Sequence, residues 1–198
     1  MTGTKKMKAT GSLSPFPGSK IAGPSDIIAI SGLAGSGKNT IGAEVAKRLG
    51  WRIVEPTFKT LAEREGITLM EFQEKAKKDA EIDKKFDSAL QDECKGGRCV
   101  VSTWLGPWMA PGKPFRVWLE VSEETRAGRL AKRDGISVPD ALAHIRKRDA
   151  DNRARYKKVY GIDIFGHAGF DLLLKGGENA TPDALADEIV NAYQKRKK

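Results

Sequence analysis

Ile30-Ser31-Gly32-Leu33-Ala34-Gly35-Ser36-Gly37-Lys38-Asn39-Thr40 follows the apolar run Ile27-Ile28-Ala29-Ile30 and leads into an amphipathic segment beginning Thr40-Ile41. A strand, a glycine-rich turn and a helix form the context in which G-x-x-x-x-G-K spacing signals a phosphate-binding loop. Glycines at 32, 35 and 37 let the backbone curl until successive N–H groups point inward, and the helix start adds a partial positive charge. Lys38 is placed to reach the β- and γ-phosphates of a triphosphate. This reading assigns Gly32, Leu33, Ala34, Gly35, Ser36, Gly37, Lys38, Asn39 and Thr40 to nucleotide binding. The competing reading, a flexible Gly/Ser turn with one lysine, leaves the full spacing and the flanking elements unexplained.

One position departs from the pattern. The residue after the lysine is ordinarily Ser or Thr, whose hydroxyl ligates Mg²⁺. Here it is Asn39, with Thr40 one place on. An amide oxygen is an acceptable hard ligand, on a longer stem. Either Asn39 replaces the hydroxyl as metal ligand, or the ion relies on the nucleotide's phosphates and water.

Outward from the loop, Ile41, Val45, Ala46 and Leu49 share one helical face and Gly50 stops it. Trp51–Val54 reads as a short second strand, and 57–95 as helical in pieces. Thr68 with Glu71 makes a capping box, and Asp79 caps a helix closed by Gly96-Gly97. Arg98–Ser102 and Phe115–Val121 read as buried parallel strands. The aromatic loop between them, Thr103 to Gly112, starts at a strand's carboxyl end, where open α/β sheets bind ligands. Trp104 or Trp108 can stack on a base there or simply pack. Ser122 caps a helix bearing Arg126, Arg129 and Arg133, and Ser137 starts another that runs through Arg148, Arg153 and Arg155 to about Gly161. Arginine spacings of three, four and seven line a helix stripe. Surface salt bridges explain some of them; a lid over transferring phosphates explains the stripe, because the guanidinium fork suits phosphate. Phe170–Leu174 reads as the fifth strand, and Thr181-Pro182 opens the last helix.

Composition sets the bounds. The 198 residues, 39% hydrophobic, suit one α/β domain. No apolar run approaches the roughly 20 residues of a membrane helix, and no signal-peptide centre is present, so a cytoplasmic location is expected. Cys94 and Cys99 lack a histidine partner and read as buried or incidental thiols. The net charge of +9 lies in the ends: eight of the basic residues fall in 1–25 and 195–198, and the rest of the chain carries about +1. Residues 1–25 read as a disordered basic tail, 26–194 as the folded domain and 195–198 as a second basic tail. Solvated tails are preferred to nonspecific polyanion contact, so no specific nucleic acid partner is expected.

In four stretches the chain resembles the archaeal-type cytidylate kinases, within the nucleoside monophosphate kinases. These are Gly32–Thr40, Phe58–Gly66 with Asp79–Asp83, Arg126–Gly135, and Ile145–Asp149 continued by Arg155–Asp163. The resemblance implies a P-loop fold with a five-stranded parallel sheet in the order 2-3-1-4-5. It also implies a helical acceptor-binding insertion at 57–97 and a helical lid at 126–161. It implies ATP as donor, with Mg²⁺, and CMP or dCMP as acceptor, in a protein expected to act as a monomer. Lys59 matches a position usually held by an arginine that grips the acceptor phosphate. Lys38, Arg129, Arg133, Arg148 and Arg155 become the expected catalytic set; Lys59, Thr103, Trp104, Arg148, Asn152 and Arg155 the expected acceptor contacts; Asn39 the expected metal ligand. After the third strand relatives typically carry Gly-Arg or Asp-Gly-Arg, whereas this chain has Ser102-Thr103-Trp104. That departure keeps two rivals open: a P-loop kinase for another acceptor, and a nucleotide-binding module with little turnover.

Overall fold

The computed structural model describes residues 26–55, 58–68, 71–72, 75, 79, 81–177 and 180–196. Five strands, β1 (Ile27–Gly32), β2 (Arg52–Val54), β3 (Cys99–Ser102), β4 (Phe115–Val121) and β5 (Leu172–Gly176), form one parallel sheet in the order β2-β3-β1-β4-β5. The expected order holds. Parallel strands buried on both faces need apolar residues on both, and β1 is buried throughout.

Side-chain alternation sorts the core onto two faces. Ile28, Ile30, Val100, Val117 and Leu119 meet Val45 of helix α1 (Lys38–Leu49) and Leu185, Ile189 and Tyr193 of helix α7 (Pro182–Arg196). Ile27, Ala29, Val54, Cys99 and Val101 meet Leu90 and Cys94 at the end of helix α3 (Glu81–Glu93), and Leu105 and Met109 of the short helix α4 (Gly106–Met109) with its preceding residue. Helix α2 (Phe58–Glu65) contributes Ala62 to a small separate core with Phe72 and Ile82. Both cysteines are free and buried. Among the described residues no helix is long and apolar enough to cross a membrane.

Helices α5 (Glu123–Asp134) and α6 (Val138–Tyr160) pack against each other beyond β4. Their starts are fixed as the sequence suggests: Ser122 Oγ accepts from Thr125 N, and Ser137 Oγ accepts from Asp140 N, each at 3.2 Å. The capping box also forms, with Thr68 N donating to Glu71 Oε2 at 2.8 Å and Glu71 N to Thr68 Oγ1 at 3.2 Å.

Three boundaries differ from expectation. β5 starts at Leu172, because Phe170 turns edge-on to Trp108 and Trp118 while the Asp171 carboxylate accepts from Arg116 N at 2.7 Å. The aromatic loop holds α4, with Pro107 in its first turn. α7 continues through Arg196, two residues into the stretch expected to be a tail. The Arg196 guanidinium donates to the carbonyls of Lys113 and Pro114 and to Asp171. Residues 1–25, expected as a tail, and Lys197-Lys198 lie outside the described residues.

Candidate active site

The carboxyl ends of β1, β2, β3 and β4 open toward one edge of the sheet, and the glycine-rich loop turns there. α1 begins at Lys38, earlier than the amphipathic pattern suggests. Its N-cap, Gly37, has φ 88° and provides no side-chain cap. The first N–H groups of the helix therefore have no internal acceptor and face the loop, which is what an anion requires. Gly35 has φ 77°, and a Cβ there would come within 2.8 Å of the Arg126 carbonyl oxygen. Glycine is needed for conformation and for space at once. Ser36 Oγ is buried without a hydrogen-bond partner among the described residues.

A buried ion pair braces this loop. Arg126 Nη1 donates to Asp149 Oδ2 at 2.7 Å and to the Ala34 carbonyl at 2.9 Å, and Arg126 Nε donates to the Val121 carbonyl at 3.2 Å. Asp149 Oδ1 accepts from Ala34 N at 3.0 Å. Both main-chain groups of Ala34 are thus held by charges from α5 and α6. A second pin comes from Arg129, which donates to the carbonyls of Ser36 and Gly177 at 3.0 and 3.1 Å.

Lys38 is partly buried, its Nζ 4.9 Å from the centroid of the Trp104 ring. Burial, followed by the nearby positive charge of Arg148, lowers its pKa to about 8, with Asp149 and Glu55 pulling the other way. Burial pushes the Glu55 carboxyl up, partly offset by Lys38. Trp104 is fixed through its carbonyl, which accepts from Ser31 Oγ at 2.7 Å, and its ring leans on Tyr156. Thr103 is buried, with Oγ1 unpartnered among the described residues. Asn39 is exposed, its Oδ1 accepting from Ser102 Oγ at 3.5 Å. Oxygen donors of this kind fit a hard cation such as Mg²⁺.

The expected residues are therefore only partly gathered. Lys38 and Asn39 close the loop, Trp104 and Arg129 contact it, Thr103 is buried next to Trp104 in the chain, and Arg148 is near enough for its charge to reach Lys38. Thr40 is exposed on the first turn of α1, while Asn152 and Arg155 are half-buried on α6. Arg133 is exposed and engaged side-on by Asp134, its neighbour in the chain. Lys59 lies on α2, with its side chain outside the described residues. Trp108 packs edge-on against Phe170, at 5.1 Å between ring centroids.

The sequence reading missed Arg126 and Asp149 as the brace, and Glu55 altogether. A signal for Asp149 was present: Ala141, Ile145 and Asp149, spaced by four, are the buried residues of α6. An acid on a buried helix stripe calls for a charged partner.

Comparison with known proteins gives a consistent result. Residues 27–177 match the profile of the family described as "Cytidylate kinase-like family". The chain is 40% identical over 162 residues to a cytidylate kinase from Pyrobaculum aerophilum, covering 80% of this chain and 88% of the other. It is 40% identical over 166 residues to one from Ignicoccus hospitalis, covering 82% and 96%. Among solved structures it resembles an uncharacterized protein from Eubacterium ventriosum (TM-score 0.62, 16% identity, 86% of this chain and 98% of that one). It also resembles a shikimate kinase from Acinetobacter baumannii (TM-score 0.58, 18% identity, 86% and 94%). The structural likenesses show the fold shared with small P-loop kinases.

Proposed function

The chain belongs to the cytidylate kinase-like family, and from that premise we propose that it transfers the γ-phosphoryl group of ATP to CMP or dCMP. The observation that carries this reading is the loop: a helix N-terminus without a side-chain cap, a partly buried lysine beside it, and a buried ion pair that holds the loop in shape.

Loop amides and Lys38 bind the β- and γ-phosphates of ATP. An oxygen of the acceptor's phosphate attacks the γ-phosphorus in line, and ADP leaves. The acceptor is already an anion near neutral pH, so no general base is needed and catalysis rests on positioning and electrostatics. Partial burial strengthens what Lys38 can do for the charge in flight. Arg148, Asn152 and Arg155, spaced by four and three on α6, form one stripe to meet the acceptor and the transferring group. Arg129 acts on the loop through the Ser36 carbonyl, and Arg133 is held in reserve on the lid. Mg²⁺, when bound, neutralises charge on the phosphates; Asn39 would hold it. Residues 26–196 form the catalytic unit, with 1–25 an extension dispensable for turnover.

A second reading, a different acceptor, is favoured by Trp104, whose ring covers Lys38 where relatives typically carry an arginine. ADP release measured with CMP, dCMP, UMP, AMP and GMP decides. The two cytidylates are expected to be fastest, and equal or faster turnover with AMP rejects the assignment.

A further inference from the structure

Among the described residues two carboxylates, Asp149 and Glu55, bring their charge to Lys38, and they differ in how they are used. Asp149 gives Oδ1 to Ala34 N and Oδ2 to Arg126. Glu55 has a buried Oε1 with no hydrogen-bond partner among the described residues. Buried polar atoms are nearly always paired, and leaving one unpaired costs free energy, so a carboxylate oxygen in this state asks for an occupant.

The sheet register shows which occupant the surroundings fit. Val54 pairs with Val101, and both side chains enter the same core. The pairing ends at Val54; continued by one residue, the same register carries Glu55 toward the level of Ser102, and strand alternation turns both to the opposite face. That is the face of α1: a Cβ on Gly42 would meet Ser102 Cβ at 3.0 Å and Ile53 Cδ1 at 3.4 Å. On the same side Ser102 Oγ lies 3.5 Å from Asn39 Oδ1. An amide oxygen and a hydroxyl thus meet at the start of α1, next to the phosphate loop, and the Glu55 carboxylate, close enough for its charge to reach Lys38, extends from β2 toward them. Mg²⁺ in nucleotide sites takes one or two carboxylates together with phosphates and water, whereas neutral donors alone leave its charge to the nucleotide.

We propose that Glu55 is the carboxylate of the divalent-cation site, acting from the end of β2 together with Asn39 and Ser102. This inference rests on the reading of the loop as an ATP site. It assigns to this residue a part in holding the ion on the nucleotide, not in reading the acceptor.

The test is binding, with Mn²⁺ as the paramagnetic probe and a non-hydrolysable ATP analogue on the full chain. Mn²⁺ affinity in the analogue complex, followed by electron paramagnetic resonance, is expected to fall about 10- to 100-fold in Glu55→Gln. Metal-free analogue binding and CMP binding should stay within about twofold of wild type, since neither uses the carboxylate by this inference. Glu55→Asp keeps the charge on a shorter stem and should give intermediate Mn²⁺ affinity; it also serves if Glu55→Gln does not fold. Mn²⁺ affinity unchanged in both variants overturns the proposal. So does a loss confined to CMP, which makes Glu55 an acceptor contact, or a loss of metal-free analogue binding equal to the Mn²⁺ loss, which makes it a structural support. Failure of the wild-type protein to bind the analogue removes the ATP site itself, and this inference with it, whereas a wild type that binds analogue with Mn²⁺ but phosphorylates no nucleotide removes the kinase reading and leaves the cation site standing.

Discussion

In the proposed function Lys38 combines two opposed properties: it must be charged to hold phosphate, yet burial and Arg148 disfavour its charge. Lys38→Ala is expected to lower the rate of transfer by 10²–10³, about 3–4 kcal/mol of transition-state stabilisation, with circular dichroism unchanged. A near-normal turnover number would contradict this. Its pKa of about 8 against an ordinary 10.5 also has a sign. The unfolded chain binds the extra proton between these values, so this group's contribution to stability rises as pH increases through that window and is flat below it. In the empty site, reactivity toward an amine acylating reagent should therefore have its midpoint near pH 8, and ATP should move it upward by favouring the ammonium. Peptide mass spectrometry across pH 7–10 reads both; a midpoint near 10 without nucleotide contradicts the expectation. Lys38 was legible in the sequence because its meaning is local, fixed by three glycines within a few positions. Glu55 was not: the surroundings that bury its side-chain oxygen exist only once β2 is paired with β3.

At the scale of elements, the two arginine-bearing helices have a structural part beside the one proposed for them toward phosphate. α5 and α6 reach back to the loop and grip Ala34 at both main-chain groups. Removing one partner of a buried, hydrogen-bonded pair strands the other, so Asp149→Ala is expected to cost about 3–5 kcal/mol in denaturant melts. ATP affinity should fall as well, because the Ala34 amide loses its acceptor. A melt within about 0.5 kcal/mol of wild type would show that the brace carries no stability. The helices themselves were readable from Ser122, Ser137, Gly135 and the arginine stripe. The division of labour within that stripe was not, since Arg126 turns inward, Arg129 toward carbonyls and Arg133 onto Asp134, and helical spacing alone does not separate them.

For the whole molecule, apolar runs and the motif-bearing turn identified the parallel α/β class, while the strand order came from family resemblance, because pairing between distant strands leaves no local trace. The C-terminal boundary shows the same limit. Lys195-Arg196-Lys197-Lys198 reads as a tail by composition, yet Arg196 ties α7 to the loop before β4 and lies over the Phe115 ring. Arg196→Ala should destabilise the protein by about 1–2 kcal/mol, with a thermal midpoint lower by several degrees and turnover at 25 °C unaffected. An unchanged midpoint would return the residue to the tail. The grip on Ala34 also bears on the order in which the protein comes into being. Its two holding charges stand 92 and 115 residues downstream. A growing chain on the ribosome has long since made its glycine-rich stretch when Asp149 is added. Tight ATP binding is therefore expected late, after the distant helices have docked. A chain refolding from denaturant should regain its secondary structure before it regains its nucleotide.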